Sequence, residues 1–288
     1  MRILINLLAI ALIVGGLAYH FAALKIFNTL VSKDAGTMRL AEAIAYGPDP
    51  RQRLDVYAPQ GAKAALPILL FVNGGSWNDG ARGDYEFVGR AFAARGYLTI
   101  TMDYRLLPQN QFPTFVQDVA LAIAWAEKEG ARFGGDPRRV FAVGHSAGAY
   151  NLALAVLDKQ YLREAGADPA MLRGIATLAG PFDFLPLDTR VTIDTFGKVA
   201  DPGTTQPINF VSADAPPFLL LAGSADTTVY SKNTRSLAKH LKEVGAAVET
   251  KEYEGMGHAQ IMLALAKPLR KDASPVYEDI LEFFARQK

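Results

Sequence analysis

A serine lies between two glycines in the sequence Gly144-His145-Ser146-Ala147-Gly148. An apolar run with the character of a strand precedes it, and an alanine- and leucine-rich run with the character of a helix follows. This pattern is typical of a nucleophile elbow, a sharp turn that presents a serine hydroxyl for attack on a carbonyl carbon. Each glycine is needed because a Cβ there would collide with a neighbouring strand or helix. An ordinary glycine turn is the simpler alternative, but it does not require the flanking strand and helix.

A serine hydroxyl is a weak nucleophile, so it needs a base to accept its proton and an acid to orient that base. In chains with a nucleophile elbow, the acid follows the serine and the histidine follows the acid. Asp226 comes shortly after the apolar run of FLLLAGSAD, and His258 lies in the glycine-rich sequence YEGMGHAQI. We therefore predict that Ser146, Asp226 and His258 form a catalytic triad.

Other residues compete for the roles of acid and base. Asp226 could instead cap the turn that follows it, a common role of aspartate, and Asp201 and Glu254 are the other candidate acids. Among the other histidines, His240 lies close to two lysines on a helix face expected to be exposed. His145, inside the elbow, is expected to be directed away from the serine. The histidine of the glycine-rich loop is therefore the favoured base.

Acyl transfer also needs N–H donors for the negatively charged oxygen of the tetrahedral intermediate. The residue after the nucleophile, Ala147, should supply one backbone N–H. The loop FVNGGSWNDG follows an early apolar strand, and its glycines allow backbone amides to turn inward. We predict that the N–H groups of Gly75 and Ser76 complete this oxyanion hole.

Apolar residues and the elbow histidine lie near these motifs and could line a substrate pocket, although such residues also fill any core. The candidate pocket residues are Trp77, His145, Phe182 and Met256.

Apolar runs alternate with helical patterns along most of the chain. The predicted strands are Leu54–Tyr57, Pro67–Val72, Tyr97–Tyr104, Arg139–Val143, Gly174–Leu178, Phe218–Ala222 and Val248–Tyr253. The predicted helices are Asp84–Arg95, Thr114–Glu129, Ala147–Leu157, Ser231–Val244 and Pro275–Arg286. This alternation predicts an α/β fold, a doubly wound and mostly parallel sheet with helices on both faces. Ligands bind such sheets at the carboxyl ends of the strands, where the candidate acid and base both fall.

One stretch, Phe182–Pro217, shows little periodicity and is interrupted by several prolines. It precedes the strand that leads to Asp226. Long irregular segments in compact domains are usually functional or mobile. We expect a lid-like insert near the site.

Composition excludes several classes of function. The 288 residues carry a formal net charge of +1 with scattered lysines and arginines, so no nucleic-acid-binding surface is indicated. The absence of cysteine excludes disulfides, a cysteine nucleophile and thiolate metal sites. The four histidines lack the spacing of a zinc site. We expect neither a metal nor an organic cofactor.

The N-terminal segment Ile3–Leu24 is almost entirely apolar and long enough to cross a bilayer as a helix. A membrane anchor over residues 1–32 is favoured, followed by a linker at Lys33–Thr37 and an α/β domain over residues 33–288. A cleaved signal peptide with secretion of the domain, or a buried or interfacial helix, is the alternative. We expect a membrane-anchored, extracytoplasmic domain. The flanking charges do not fix its orientation.

From about Arg53 onward the chain resembles the α/β-hydrolase superfamily, specifically its esterase and lipase branch. Hormone-sensitive-lipase-like, feruloyl-esterase-like and kynurenine-formamidase-like carboxylesterases belong to that branch. The elbow, the loop NGGSW and the segments MDYRL, FPTFVQDVALAIAW, FGGDPRRV and SADAPPFLLLAGSADTTV carry the resemblance. The family usually has histidine where this chain has Asn73. Because asparagine also forms hydrogen bonds, we expect an intact loop with altered geometry.

The resemblance implies a serine carboxylesterase that acts through an acyl-enzyme. The apolar residues near the motifs suggest that its substrates are small-to-medium apolar esters. Ester hydrolysis by the predicted triad needs no cofactor. An amidase or peptidase with the same triad is one alternative, although peptidases of this fold usually carry an additional domain. A membrane-tethered binding protein without catalysis is another, although such proteins normally lose a triad member.

Overall fold

The structure is a computed structural model that describes residues 17–270 and 275–287. Its centre is an 8-stranded sheet with the order β1-β2-β4-β3-β5-β6-β7-β8. The strands are β1 Thr37–Ala45, β2 Arg53–Pro59, β3 Leu66–Val72, β4 Leu98–Met102, β5 Gly135–His145, β6 Leu172–Leu178, β7 Phe218–Gly223 and β8 Val248–Tyr253. β2 pairs antiparallel with β1 and β4, and all other pairs are parallel. The predicted mostly parallel sheet is confirmed.

Helices flank the sheet. They are α1 Leu17–Leu30, α2 Glu86–Ala93, α3 Thr114–Glu129, α4 Ala147–Leu157, α5 Lys159–Ala165, α6 Arg190–Phe196, α7 Lys232–Glu243, α8 His258–Leu263 and α9 Val276–Arg286. Every predicted helix is present, and α3 and α4 have the predicted ends. The short helices α5, α6 and α8 were not predicted from the sequence, because a run of six or seven residues carries little helical periodicity.

Two hydrophobic cores lie on opposite faces of the sheet. Along β3, Ile68, Leu70 and Val72 belong to one core and Leu69 and Phe71 to the other. This division follows from the two-residue period of a strand. Because both faces are covered, the central strands are continuous apolar runs, and that is why their positions could be predicted.

The predicted anchor Ile3–Leu24 lies largely outside the described residues. Its described end continues in α1, and the side chains of Leu24, Phe27 and Val31 are buried. The rings of Phe27 and Phe87 meet edge to face at 5.6 Å. Within the described ranges, no helix has the length and hydropathy that a bilayer crossing requires.

The predicted division after residue 32 differs from the structure. Asn28 donates a hydrogen bond to the carbonyl of Gly83 at 2.8 Å and accepts one from the backbone N–H of Phe87 at 3.1 Å. In the predicted linker, Asp34 forms a two-pronged ion pair with Arg270, with both N–O distances 2.8 Å. The second half of α1 and the segment after it are therefore packed parts of the α/β domain.

The predicted insert 182–217 contains α6 and two 3₁₀ turns, Pro202–Thr205 and Pro207–Phe210. It is anchored on α4, because the Tyr150 hydroxyl donates to the carbonyl of Thr205 at 2.8 Å. The ring of Phe196 is fully buried. The insert is thus a packed layer over the start of α4.

Candidate active site

Ser146 occupies the turn between β5 and α4. Its backbone has φ +53° and ψ −124°, a conformation that residues with side chains rarely adopt and that is often found at functional sites. The turn is held by the backbone N–H of Ser146, which donates to the carbonyl of Leu178 on β6 at 2.9 Å. This is the geometry predicted for a nucleophile elbow.

The two glycines of the motif allow close packing around this turn. A Cβ on Gly144 would lie 2.7 Å from the Cα of Ala149. A Cβ on Gly148 would lie 2.3 Å from the carbonyl oxygens of Val72 and Asn73. Each contact is too short for a real Cβ. The predicted collisions, one with the helix and one with the neighbouring strand, are confirmed.

The structure brings Ser146, His258 and Asp226 together. The distance from His258 Nε2 to Ser146 Oγ is 2.9 Å, and the distance from His258 Nδ1 to Asp226 Oδ2 is 2.7 Å. The aspartate side chain is 0% exposed and the histidine side chain 17%. When Nδ1 carries a proton and donates a hydrogen bond to the carboxylate, Nε2 is free to accept the serine proton. This chain of hydrogen bonds has the arrangement needed for nucleophilic catalysis.

Three of four adjacent strands position these groups. β5, β6, β7 and β8 lie side by side in the sheet, and Ser146, Asp226 and His258 follow the carboxyl ends of β5, β7 and β8. The loops after β7 and β8 are joined by the backbone N–H of Ala225, which donates to the carbonyl of Met256 at 3.1 Å. The side chain of Met256 is buried, so this predicted pocket residue supports the loops that carry the acid and the base.

The predicted oxyanion loop lies directly against the serine. A Cβ on Gly74 would lie 2.9 Å from the Cβ of Ser146. The next three residues, Gly75, Ser76 and Trp77, have φ values of +138°, +51° and +58°. Consecutive positive φ angles are rare and turn backbone amides away from their usual partners.

The N–H groups of the predicted oxyanion hole have no acceptor among the described residues. This holds for Gly75 and Ser76 in the loop and for Ala147 at the first position of α4. Such amides can bind negative charge. Their role as donors remains a prediction.

Buried hydrogen bonds hold the oxyanion loop in place. Asn73 is buried, and its side-chain amide donates to the carbonyl of Gly74 at 2.9 Å. The Tyr104 hydroxyl donates to the carbonyl of Asn73 at 3.1 Å. This support was not predicted from the sequence, although the segment MDYRL, which contains Tyr104, is among those that carry the family resemblance.

Trp77 and Phe182 lie in the core rather than on an open pocket. Trp77 donates from Nε1 to Asn151 Oδ1 at 2.9 Å, and its ring meets those of Tyr150 and Phe196 edge to face. Phe182 is 0% exposed. Direct contact between these side chains and a substrate would require them to move, so the predicted pocket differs from the structure at both positions.

His145 lies beside the candidate base. The distance from its Nε2 to the main-chain oxygen of His258 is 3.2 Å, and the two ring centroids are 5.0 Å apart. Burial, and to a lesser extent repulsion from a positively charged His258, lowers the pKa of His145 to about 3. This contact joins residues 113 positions apart, and no local sequence pattern predicts it.

Over residues 17–270 and 275–287, no three His, Asp or Glu side chains are placed to bind a metal ion together.

Comparison with known families gives a match over most of the domain. The family model BD-FAE matches residues 54–241. This range includes the oxyanion loop, Ser146 and Asp226. His258 lies beyond it.

Curated relatives include two esterases. Esterase LipC of Mycobacterium tuberculosis is 34% identical over 239 residues, which cover 75% of this chain and 58% of that protein. Isoprenylcysteine alpha-carbonyl methylesterase ICME of Arabidopsis thaliana is 26% identical over 268 residues, which cover 84% of this chain and 61% of that protein. This chain thus spans about six tenths of the length of these two relatives.

Among solved structures, esterase B from Lactobacillus Rhamnosis superposes with a TM-score of 0.80 at 20% identity, covering 94% of this chain and 92% of that one. The same esterase inhibited by a C4-C4 SN3 tributyrin phosphonate gives a TM-score of 0.81 at 20% identity, with the same coverage. At this identity, the likeness establishes a shared fold.

Proposed function

Because this chain belongs to the BD-FAE family, within the esterase and lipase branch of the α/β-hydrolases, we propose that it is a serine hydrolase acting on carboxylic esters. The observation that carries the proposal is the hydrogen-bonded chain from Ser146 through His258 to Asp226, with distances of 2.9 and 2.7 Å. The names of the relatives, an esterase and a methylesterase, support ester hydrolysis as the reaction class.

In the proposed reaction, Ser146 Oγ attacks the ester carbonyl carbon while His258 Nε2 accepts its proton. Asp226 stabilises the resulting imidazolium. The N–H groups of Gly75, Ser76 and Ala147 bind the negatively charged oxygen of the tetrahedral intermediate. Collapse of this intermediate breaks the carbon–oxygen bond to the alcohol, which leaves with the proton from His258. A water molecule then attacks the acyl-enzyme, and His258 again accepts and returns the proton.

The proposed substrates are small-to-medium apolar esters. Buried aromatic rings lie close behind the oxyanion loop, with Trp77 and Phe196 at a centroid distance of 5.0 Å. The packed insert therefore limits the room for a long acyl chain beside the loop.

Tethering to a membrane through residues 3–24, with the domain outside the cytoplasm, remains a prediction from the apolar sequence. Secretion after cleavage is its alternative. Membrane fractionation of cells, followed by N-terminal sequencing of the protein, separates the two. Intact protein in the membrane fraction supports the anchor, and a shortened protein in the medium or the soluble extracytoplasmic fraction supports cleavage.

The proposal is tested with p-nitrophenyl esters of increasing acyl length. The full chain should hydrolyse them, with an optimum at short acyl groups, and Ser146→Ala should lose nearly all turnover. Ser212→Ala, a change in the insert, is the matched control and should keep it.

Turnover of amides in place of esters would favour the amidase or peptidase alternative. If the parent protein showed no turnover and no reaction with a phosphonate, the binding-protein alternative would replace the enzyme.

A further inference from the structure

His145 is a buried polar side chain at the site for which the proposed reaction has no role. It is 6% exposed, and it lies at the end of β5, directly before the nucleophile. We propose that His145 is a positioning residue, which holds the main chain of His258 so that the imidazole stays between Ser146 and Asp226. This inference deepens the proposed function and depends on it.

The hydrogen bond defines the form of His145. Its Nε2 lies 3.2 Å from the His258 carbonyl oxygen. A carbonyl oxygen only accepts hydrogen bonds, so Nε2 must carry a proton. Nδ1 has no hydrogen-bond partner among the described residues, and the neutral ring therefore has its proton on Nε2. The low pKa of His145, about 3, means that this neutral form is kept at every pH at which the base would work.

The position of His145 links three parts of the site. Its ring lies against the oxyanion loop, since a Cβ on Gly74 would be 3.1 Å from His145 Nδ1. Its backbone continues into Ser146, and its Nε2 reaches the loop that carries His258. A single rigid side chain thus sets the spacing between the elbow and the base.

Few side-chain hydrogen bonds reach the candidate base. Among the described side chains, His145 is the one outside the triad that hydrogen-bonds to His258. The histidine is also the first residue of the short helix α8. Loss of the contact should therefore let the imidazole drift relative to Ser146, and small misplacements of reacting groups cost large factors in rate.

The test compares two substitutions of similar size. His145→Leu removes the donor, and we expect kcat for a p-nitrophenyl ester to fall roughly ten- to a hundredfold, with KM changed less than about twofold. His145→Gln can place an amide N–H near the same carbonyl. It should recover kcat to within about threefold of the parent.

A matched control comes from His240. Its Nδ1 also lies against a main-chain carbonyl, that of Ser236, at 2.8 Å, but on α7 and outside the candidate site. His240→Leu should leave kcat unchanged. Melting temperatures of all variants separate positioning from stability, because a purely structural role would make kcat follow the folded fraction.

Equal kcat in parent and His145→Leu would overturn the inference. An equal fall of kcat in His145→Leu and His145→Gln would also overturn it, and so would a fall of kcat that matches the fall in the folded fraction. If the parent itself failed to turn over any ester, the proposed function would fail and this inference with it. An active parent with insensitive variants removes the inference alone.

Discussion

Asp226 uses its two carboxylate oxygens for different tasks. Oδ1 accepts the backbone N–H groups of Thr228 and Val229, both at 2.8 Å, while Oδ2 bonds to His258 Nδ1 at 2.7 Å. Turn capping and orientation of the base are alternatives from the sequence, yet one side chain has the geometry for both. The turn fixes the carboxylate, and the carboxylate can fix the histidine.

Substitution of this carboxylate should therefore damage catalysis far more than folding. Asp226→Asn can keep an oxygen towards the turn, but it presents an amide N–H to His258 Nδ1. Nδ1 must then accept, so the imidazole proton lies on Nε2 and this nitrogen cannot accept the serine proton. We expect kcat to fall by about 10³ to 10⁴. Asp201→Asn is the matched control, because Asp201 caps a turn in the same way, accepting the Gly203 N–H at 2.9 Å. A loss below tenfold on Asp226→Asn would contradict the assigned role.

The buried neutral His145 should make the fold sensitive to acid. Its pKa is lowered from 6.5 to about 3 on folding, so between these values the unfolded chain binds a proton that the folded chain does not. Stability is therefore lost as pH falls from about 6.5 towards 3. Urea unfolding of the parent and His145→Leu should show an extra loss in the parent on the order of 3 kcal/mol between pH 7 and 4. If the free energies of unfolding of the parent and of His145→Leu changed with pH in parallel, His145 would not be the group responsible.

At the scale of elements, the insert is joined to the site by aromatic packing. Phe196 on α6 contacts Trp77 at 5.0 Å and Tyr150 at 5.3 Å between ring centroids. Trp77 directly follows the predicted oxyanion donors, and Tyr150 lies on the helix after the nucleophile. A change in this packing should thus reach the loop and the helix that frame Ser146.

Phe196→Ala should destabilise the protein by about 3–5 kcal/mol, the usual cost of removing a buried phenylalanine ring. It should also shift the acyl-length optimum to longer chains, because space opens behind the oxyanion loop. Ile193→Ala on the same helix is the control, since Ile193 is 48% exposed and its loss should cost less than about 0.5 kcal/mol. The measurements are urea unfolding and hydrolysis of the ester series. Equal effects of the two substitutions would mean that the insert is not held by this cluster.

The central sheet brings together residues that are distant in sequence. Ser146 and His258 are 112 positions apart, yet both follow strands whose carboxyl ends lie at one edge of the sheet. This explains why the fold, and the proximity of Ser146, Asp226 and His258, could be predicted from the sequence. The buried strands are continuous apolar runs, and the order serine, aspartate, histidine restricts the choice of partners.

Other features were missed because their signals are spatial. β1 has mostly exposed side chains, including the apolar Met38 and Leu40, so no buried apolar run marks it as a strand. The burial of Phe27 and the ion pair between Asp34 and Arg270 depend on contacts across the fold. From the sequence alone, a packed helix looks like an apolar anchor, and a packed segment after it looks like a linker. The contact between His145 and His258 likewise follows from the sheet and not from local sequence.

The most direct test of the central claim is to identify the residue that a phosphonate ester modifies. The full, active protein is treated with the reagent, digested and analysed by mass spectrometry. We expect one adduct, on Ser146, with loss of ester hydrolysis in proportion to labelling, and no adduct in Ser146→Ala. An adduct on another residue, or ester turnover that persists in Ser146→Ala, would contradict the assignment of Ser146 as the nucleophile.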